Sequence, residues 1–222
     1  MAVAYSLEPV ETLGSSEIDD IRRVYESGFA PHLRAGFDSI TSQREPGELG
    51  FGLLQDGQPR GFAMLRPLGS TGWIFLRYFV VEEGQRGRGL GGILWQQVTG
   101  LLRDLGYTLL IFDVEDPDEP DCGEAEVQIR NRRIGFYLRQ GAHLLPVSGY
   151  RTPHGSAEDP GWTPMLLMSA ALTAGQPVSV VPAGEIVAAV YRYRWSLAPD
   201  HPQVTGTAVA DPAVADPARR LR

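Results

Sequence analysis

Residues Gln85 to Gly92, in the order Gln-Arg-Gly-Arg-Gly-Leu-Gly-Gly, stand between an extended apolar run, Trp73 to Glu82, and a stripe of large apolar residues. The stripe, Leu90, Ile93, Leu94, Val98, Leu101, Leu102 and Leu105, recurs at i, i+3, i+4 and predicts an amphipathic helix that Gly106 terminates. A strand, a glycine-rich loop and a helix in this order form a place where an anion can sit. Glycines let the backbone approach closely, and the first turn of the helix presents N–H groups at its positive end. Gly87, Gly89, Gly91 and Gly92 supply the freedom, and Arg86 and Arg88 supply charge. The bland alternative is a glycine-rich turn with no ligand.

The chain on either side limits what this unit can belong to. Tyr5 to Val10 reads as a first strand, and Ser16, with Asp19 three residues on, reads as the start of a helix carrying Ile18, Ile21 and Tyr25 on one face. A second short helical stretch carries Leu33, Phe37 and Ile40. Leu49 to Gln55, the turn Asp56-Gly57 and Gly61 to Arg66 predict a hairpin, so that with Trp73 to Glu82 three antiparallel strands precede the loop. After the long helix, Thr108 to Val114 reads as a buried strand parallel to the one before it. A helix over about Glu124 to Gln140 and two strands, His143 to Arg151 and Trp162 to Ser169, follow. Ala183 to Leu197 reads as a helix carrying Tyr191, Tyr193 and Trp195, whereas 198–222, with its near-repeat Ala-Asp-Pro-Ala, is expected to be disordered or loosely attached.

Composition excludes several kinds of chemistry. All 20 basic residues are Arg, so neither a Schiff-base lysine nor a Walker A lysine is present. The net charge of -7 speaks against a nucleic-acid partner and suits an amine-bearing one. One cysteine, Cys122, makes no internal disulfide, and none of His32, His143, His154 or His201 has a metal-site partner, so no metal is expected. The absence of a long apolar run or a signal-like start makes the expected location cytoplasmic, with no membrane partner.

Gly87, Gly89 and Gly92 also satisfy Gly-x-Gly-x-x-Gly, with Asp113 ending the next strand, which suits a nicotinamide-dependent oxidoreductase. Two features oppose that reading. Glu82 to Arg86 separate the strand from the first glycine, and antiparallel strands, not repeated βα units, come before it. Arg86, Gly89 and Gly91 instead match Arg/Gln-x-x-Gly-x-Gly/Ala, and over roughly residues 3–172 the order of elements resembles the GNAT superfamily of N-acetyltransferases.

The resemblance implies an α/β domain over 1–172, with a central mixed, mostly antiparallel sheet, a splayed parallel pair and flanking helices. A C-terminal extension would span 173–197. It implies transfer of an acetyl or related acyl group from acetyl-CoA to a primary amine of a small molecule or peptide. The backbone of Phe79, Val80 and Val81 would pair with the pantetheine arm, while Arg86, Gly87, Arg88, Gly89, Leu90, Gly91 and Gly92 would hold the pyrophosphate. Phe79 to Val81 would otherwise be plain core strand, and the two readings are compatible.

Amine attack on a thioester needs an acid for the leaving thiolate and a base for the amine. The resemblance makes Tyr137 the acid, although Ile134, Tyr137 and Leu138 also read as a helical core stripe. The family's cofactor-contacting asparagine falls at Arg130, with Asn131 one step late, and Asn131 is the candidate contact. Asp113 and Glu115, two apart on one strand face, are the candidate bases; both would otherwise be solvated acids at a loop entry. Seven carboxylates between Glu115 and Glu126 could draw in a cationic amine, or form an ordinary solvated loop. The aromatic helix around Tyr191 could cap the acceptor site, meet a second subunit in a homodimer, or close the core of its own chain. A catalytically idle acyl-CoA-binding module remains the alternative to an enzyme.

Overall fold

A computed structural model describes residues 3–29, 31, 34–42, 44–85, 87–120, 122–155, 160–173 and 181–210. The chain divides into two compact units, Met1–Pro67 with Leu76–Gly106, and Leu68–Phe75 with Tyr107–Arg222.

In the first unit, β1 (Tyr5–Pro9), β2 (Leu49–Gln55) and β3 (Gln58–Pro67) pair antiparallel, and β4 (Trp73–Val81) follows β3 in the sheet. The β2–β3 turn is the expected one: Asp56 and Gly57 both take positive φ, 49° and 79°, which matches the twist of the two strands. Helix α1 (Ser15–Gly28) buries Ile21, Val24 and Tyr25, and α2 (Phe37–Ile40) buries Phe37 and Ile40. These side chains pack with Phe62, Met64, Tyr78 and Val80 from the strands. The α1 start differs from the reading that made Ser16 the cap. Gly14 caps it instead, because the Glu17 carboxylate reaches back to accept the Gly14 N–H at 2.7 Å. Leu33 lies outside the described residues.

Helix α3 (Leu90–Asp104) buries Leu90, Leu94, Trp95, Val98, Thr99 and Leu102. Leu105, which the apolar stripe includes, is exposed just past the helix end. Leu94 is fully buried because β3 carries a glycine beneath it: a Cβ at Gly61 would stand 3.3 Å from Leu94 Cδ2 and 3.2 Å from the Val80 carbonyl oxygen.

In the second unit the first three residues of β4, Trp73 to Phe75, pair in parallel with Leu109 to Ile111 of β5 (Leu109–Glu115). Helix α4 (Glu124–Arg139) ends before Gly141, which takes φ 83°. The expected strand His143 to Arg151 is broken into β6 (His143–Leu144), β7 (Val147–Ser148) and β8 (Arg151–Gly155), with Pro146 and Gly149 in the gaps. Gly149 stands at φ 73°. The long strand β9 (Pro160–Ala171) runs antiparallel to β5, β6 and β8. Helix α5 (Ala183–Ala189) runs into a π-helical turn, Val190–Arg194, and its buried Ile186, Val187, Val190 and Tyr191 join Phe75, Ile111, Tyr150 and Leu167 in one core. Part of the stretch expected to be disordered is folded. Helix α6 (Pro202–Thr205) and β10 (Ala208–Val209) follow, β10 pairing with β7, whereas 211–222 lie outside the described residues. No helix among the described residues is long and apolar enough to cross a membrane.

Replacing Leu94 with Ala leaves a cavity that Gly61 cannot fill. The expected cost is about 3 kcal/mol, read as a fall in the thermal midpoint of roughly 6 to 12 °C.

Candidate functional site

In the first unit, β4 ends at Val81 and the Glu82 N–H is tied to the Arg60 carbonyl at 2.8 Å. One short turn, Glu83–Gln85, leads into the glycines. Gly87 and Gly89 take φ 78° and 86°, the left-handed region that side chains disfavour, and a Cβ at either would find nothing within 4 Å. Gly89 caps α3. The first backbone bond of the helix runs from the Ile93 N–H to the Gly89 carbonyl at 3.1 Å, so the N–H groups of Leu90, Gly91 and Gly92 precede any i−4 acceptor. Open space, left-handed glycines and donor groups at a positive helix end together form a cradle that fits a pyrophosphate. Arg88 is exposed beside it, and Arg86 lies outside the described residues. Along β4, Val80 points into the core, while Phe79 and Val81 are half-buried and Phe79 packs edge-on against Trp95, 5.9 Å between centroids. The parallel ladder with β5 ends at Phe75, short of Phe79 to Val81.

The second unit holds the candidate acid and bases. Tyr137 on α4 is buried, its ring 4.4 Å from that of Phe112. Burial pushes its hydroxyl up to about 12; Arg133 opposes the shift and Asp113 adds to it. At neutral pH the group therefore keeps its proton and can donate it.

Asp113 and Glu115 share a face of β5 but not an environment. Glu115 is buried and ion-paired with Arg133, so its charge is already answered. Asp113 retains partial exposure and accepts the Tyr150 hydroxyl at 3.1 Å. Desolvation raises its carboxyl from 3.8 to about 6, against the lowering effects of Arg194 and of the Tyr150 hydrogen bond. A carboxylate poised there is ionised at neutral pH yet basic enough to take a proton. Of the two candidates, geometry favours Asp113.

Asn131 on α4 has a buried side-chain oxygen with no hydrogen-bond partner. An acceptor in that state is costly unless a donor from a ligand completes it. That fits the polar amides of a pantetheine arm and keeps Asn131 as the candidate contact. Arg130, at the family's asparagine position, is occupied instead by Glu119 at 2.6 Å, Glu126 at 3.2 Å and the Asp116 carbonyl at 2.7 Å. The acidic segment is thus partly neutralised from within, since Glu115, Glu119 and Glu126 are all paired to arginines of α4. Asp121 lies outside the described residues.

Sequence reasoning did not single out Tyr150 or Arg194, and it noted Trp195 only as part of an aromatic helix. One signal was available. A carboxylate in an apolar strand needs donors, and a buried tyrosine or tryptophan needs a partner for its polar atom.

Replacing Asp113 with Asn offers a check on its raised titration. For an acid whose folded value lies above its unfolded one, stability falls as pH rises from about 4 to about 6 and stays lowered above that. Asp113→Asn is therefore expected to match wild type in thermal denaturation near pH 4 and to exceed it at pH 8 by about 2 kcal/mol, discounted for partial exposure.

The sequence profile of the acetyltransferase (GNAT) family matches residues 17–141. Solved structures share the fold at low identity. A GNAT-family protein from Bacteroides thetaiotaomicron is 18% identical with a TM-score of 0.63, the alignment covering 87% of this chain and 99% of the other. The ribosomal-protein-S18-alanine N-acetyltransferase of Escherichia coli is 15% identical with a TM-score of 0.56, covering 79% and 98%. A Bacillus subtilis acetyltransferase in complex with CoA is 10% identical with a TM-score of 0.50, covering 78% and 100%. No curated protein matches the sequence.

Proposed function

The chain belongs to the acetyltransferase (GNAT) family, and we propose that it transfers an acetyl or related acyl group from acyl-CoA to a primary amine of a small molecule or peptide. The observation that carries this reading is the cradle at the start of α3, where Gly87 and Gly89 turn left-handed into open space and the N–H groups of Leu90, Gly91 and Gly92 follow. These groups, with Arg88, would hold the CoA pyrophosphate. The backbone of Phe79 to Val81, beyond the end of the parallel ladder, would bond the pantetheine arm as a strand would; in the second unit, the Asn131 oxygen is the candidate acceptor for a cofactor amide.

The thioester of bound acyl-CoA supplies an activated acyl carbon. The protein's part is to manage protons. Asp113, ionised at neutral pH, takes the proton that the attacking amine must lose, and Tyr137, protonated throughout the working range, gives one to the departing thiolate. A donor–acceptor pair with such separated titrations favours an enzyme over an idle acyl-CoA-binding module. The nicotinamide reading is disfavoured by the sheet. Among the described strand pairings whose direction is resolved, β4–β5 is the one parallel pair, whereas a dinucleotide fold repeats the βαβ unit.

Acetyl-CoA is expected to raise the thermal midpoint of the protein and NAD(H) to leave it unchanged. Gly89→Glu forces a side chain into a left-handed position and places a carboxylate at the cradle. CoA affinity measured by titration calorimetry should fall by about a hundredfold or more, at 1.4 kcal/mol per tenfold, and unchanged affinity would refute the cradle. Tyr137→Phe should lower kcat by about a hundredfold with acetyl-CoA affinity intact; wild-type turnover across an amine panel would remove Tyr137 as the acid.

A further inference from the structure

Asp113 sits at the end of a chain of donors that begins in the C-terminal segment. The Trp195 indole N–H donates to the Tyr150 hydroxyl oxygen at 3.2 Å, and that hydroxyl donates to Asp113 Oδ2 at 3.1 Å. Arg194, the residue before Trp195, supplies the positive charge that acts on Asp113. Its guanidinium lies 3.9 Å from the centroid of the Trp195 ring and 5.9 Å from that of Phe75.

The local backbone is what delivers both residues. Helix α5 gives way to the π-turn Val190–Arg194, closed by the Trp195 N–H on the Val190 carbonyl five residues back at 3.3 Å. A continued α-helix would bond i to i−4 and turn Arg194 and Trp195 to another face. The turn is also fastened from its buried side. The Tyr191 hydroxyl meets the N–H and the carbonyl of Arg151 at 3.2 Å each and lies 2.9 Å from Thr207 Oγ1. Gly69 makes room for Tyr193, because a Cβ there would come within 2.7 Å of the Tyr193 ring. A segment needed only to cover a core could use apolar contacts alone. This one spends two polar side chains on a single carboxylate and its hydrogen-bond partner.

We propose that Arg194 and Trp195 are positioning residues for Asp113, presented by the π-turn and acting on the carboxylate directly and through Tyr150. The inference rests on the reading of Asp113 as proton acceptor. A donor on Oδ2 fixes the plane of the carboxylate, and the Arg194 charge keeps it ionised in a desolvated position. Asp113 also acts on Tyr137 of α4, whose neighbour Arg133 is paired with Glu115, and on β9 the register neighbour of Asp113 is the apolar Leu167. Burial is what raises the Asp113 titration most, and among the side chains that oppose it the positive charge is that of Arg194 in the C-terminal segment.

The test uses the full-length chain and two readouts. The first is carbon-13 NMR titration of the Asp113 carboxyl, its signal identified by its loss in Asp113→Asn. The second is the pH profile of kcat/KM with acetyl-CoA and an amine that supports turnover. Arg194→Gln and Tyr150→Phe should each raise the midpoint of the Asp113 titration by about one pH unit, with the ascending limb of the profile moving equally. Trp195→Phe should move both in the same direction by less. Arg194→Gln leaves every ring in place, so the test survives if a ring replacement fails to fold. Midpoints and limbs that stay at the wild-type position, with only a lower thermal midpoint, would overturn the proposal by reducing the π-turn to packing. Wild-type turnover in Asp113→Asn would instead remove Asp113 as the base, and the NMR titration alone would then decide whether Arg194 and Trp195 hold it.

Discussion

Two left-handed residues, Gly87 and Gly89, determine how the chain leaves β4 and enters α3, and much of the first unit follows from them. A residue with a side chain at either position would be strained whatever space surrounded it. Because Gly89 is the cap, Leu90 becomes the first helical residue, and the phase of the helix is set: Leu94, Trp95, Val98 and Leu102 fall on the buried side. The same turn fixes where the first N–H groups of α3, those before any i−4 acceptor, begin. Packing of the core and the position of those N–H groups therefore share one cause. A change that relaxed the turn would move both.

A different constraint shapes the second unit, namely the cost of keeping a carboxylate in an apolar strand. Asp113 has Phe112 and Val114 as neighbours in β5 and Leu167 across the ladder. Desolvation pushes its titration upward. The Tyr150 hydroxyl and the Arg194 charge restore part of what water would have supplied, and the result is a titration near neutrality instead of either extreme. Glu115, two residues on, shows the contrasting solution, in which a full ion pair with Arg133 answers the charge. The two acids look alike in sequence. Their surroundings give them different capacities.

What the sequence made legible was what nearest neighbours decide. The Asp56-Gly57 hairpin, the helix after the glycine run, the parallel strand before Asp113 and the helix carrying Tyr137 all depend on spacing within a dozen or so residues, and all are present. Errors arose where a distant or competing contact won. Glu17 displaced Ser16 at the start of α1 by reaching back to Gly14. Pro146 and Gly149 broke an alternating run that reads as one strand. Ala208 and Val209, too short an apolar run to read as a strand, found order by pairing with β7. Tyr150 and Trp195 were not recognisable as partners of Asp113 because 37 residues separate Asp113 from Tyr150, and 45 separate Tyr150 from Trp195. No local pattern reports such a meeting.

The C-terminal segment brings these two kinds of constraint together. A π-turn is less favourable than the α-helix it interrupts and persists where the surrounding structure requires it. Here Tyr191 fastens it to Arg151, and its following residues answer a carboxylate that would otherwise be disfavoured at neutral pH. A fold selected for stability alone would replace Asp113 with a neutral residue and let the helix continue. Retaining a partly desolvated acid, and a π-turn to attend to it, makes sense if the carboxylate must change its protonation during the work of the protein. Acid, turn and aromatic link then act as one device.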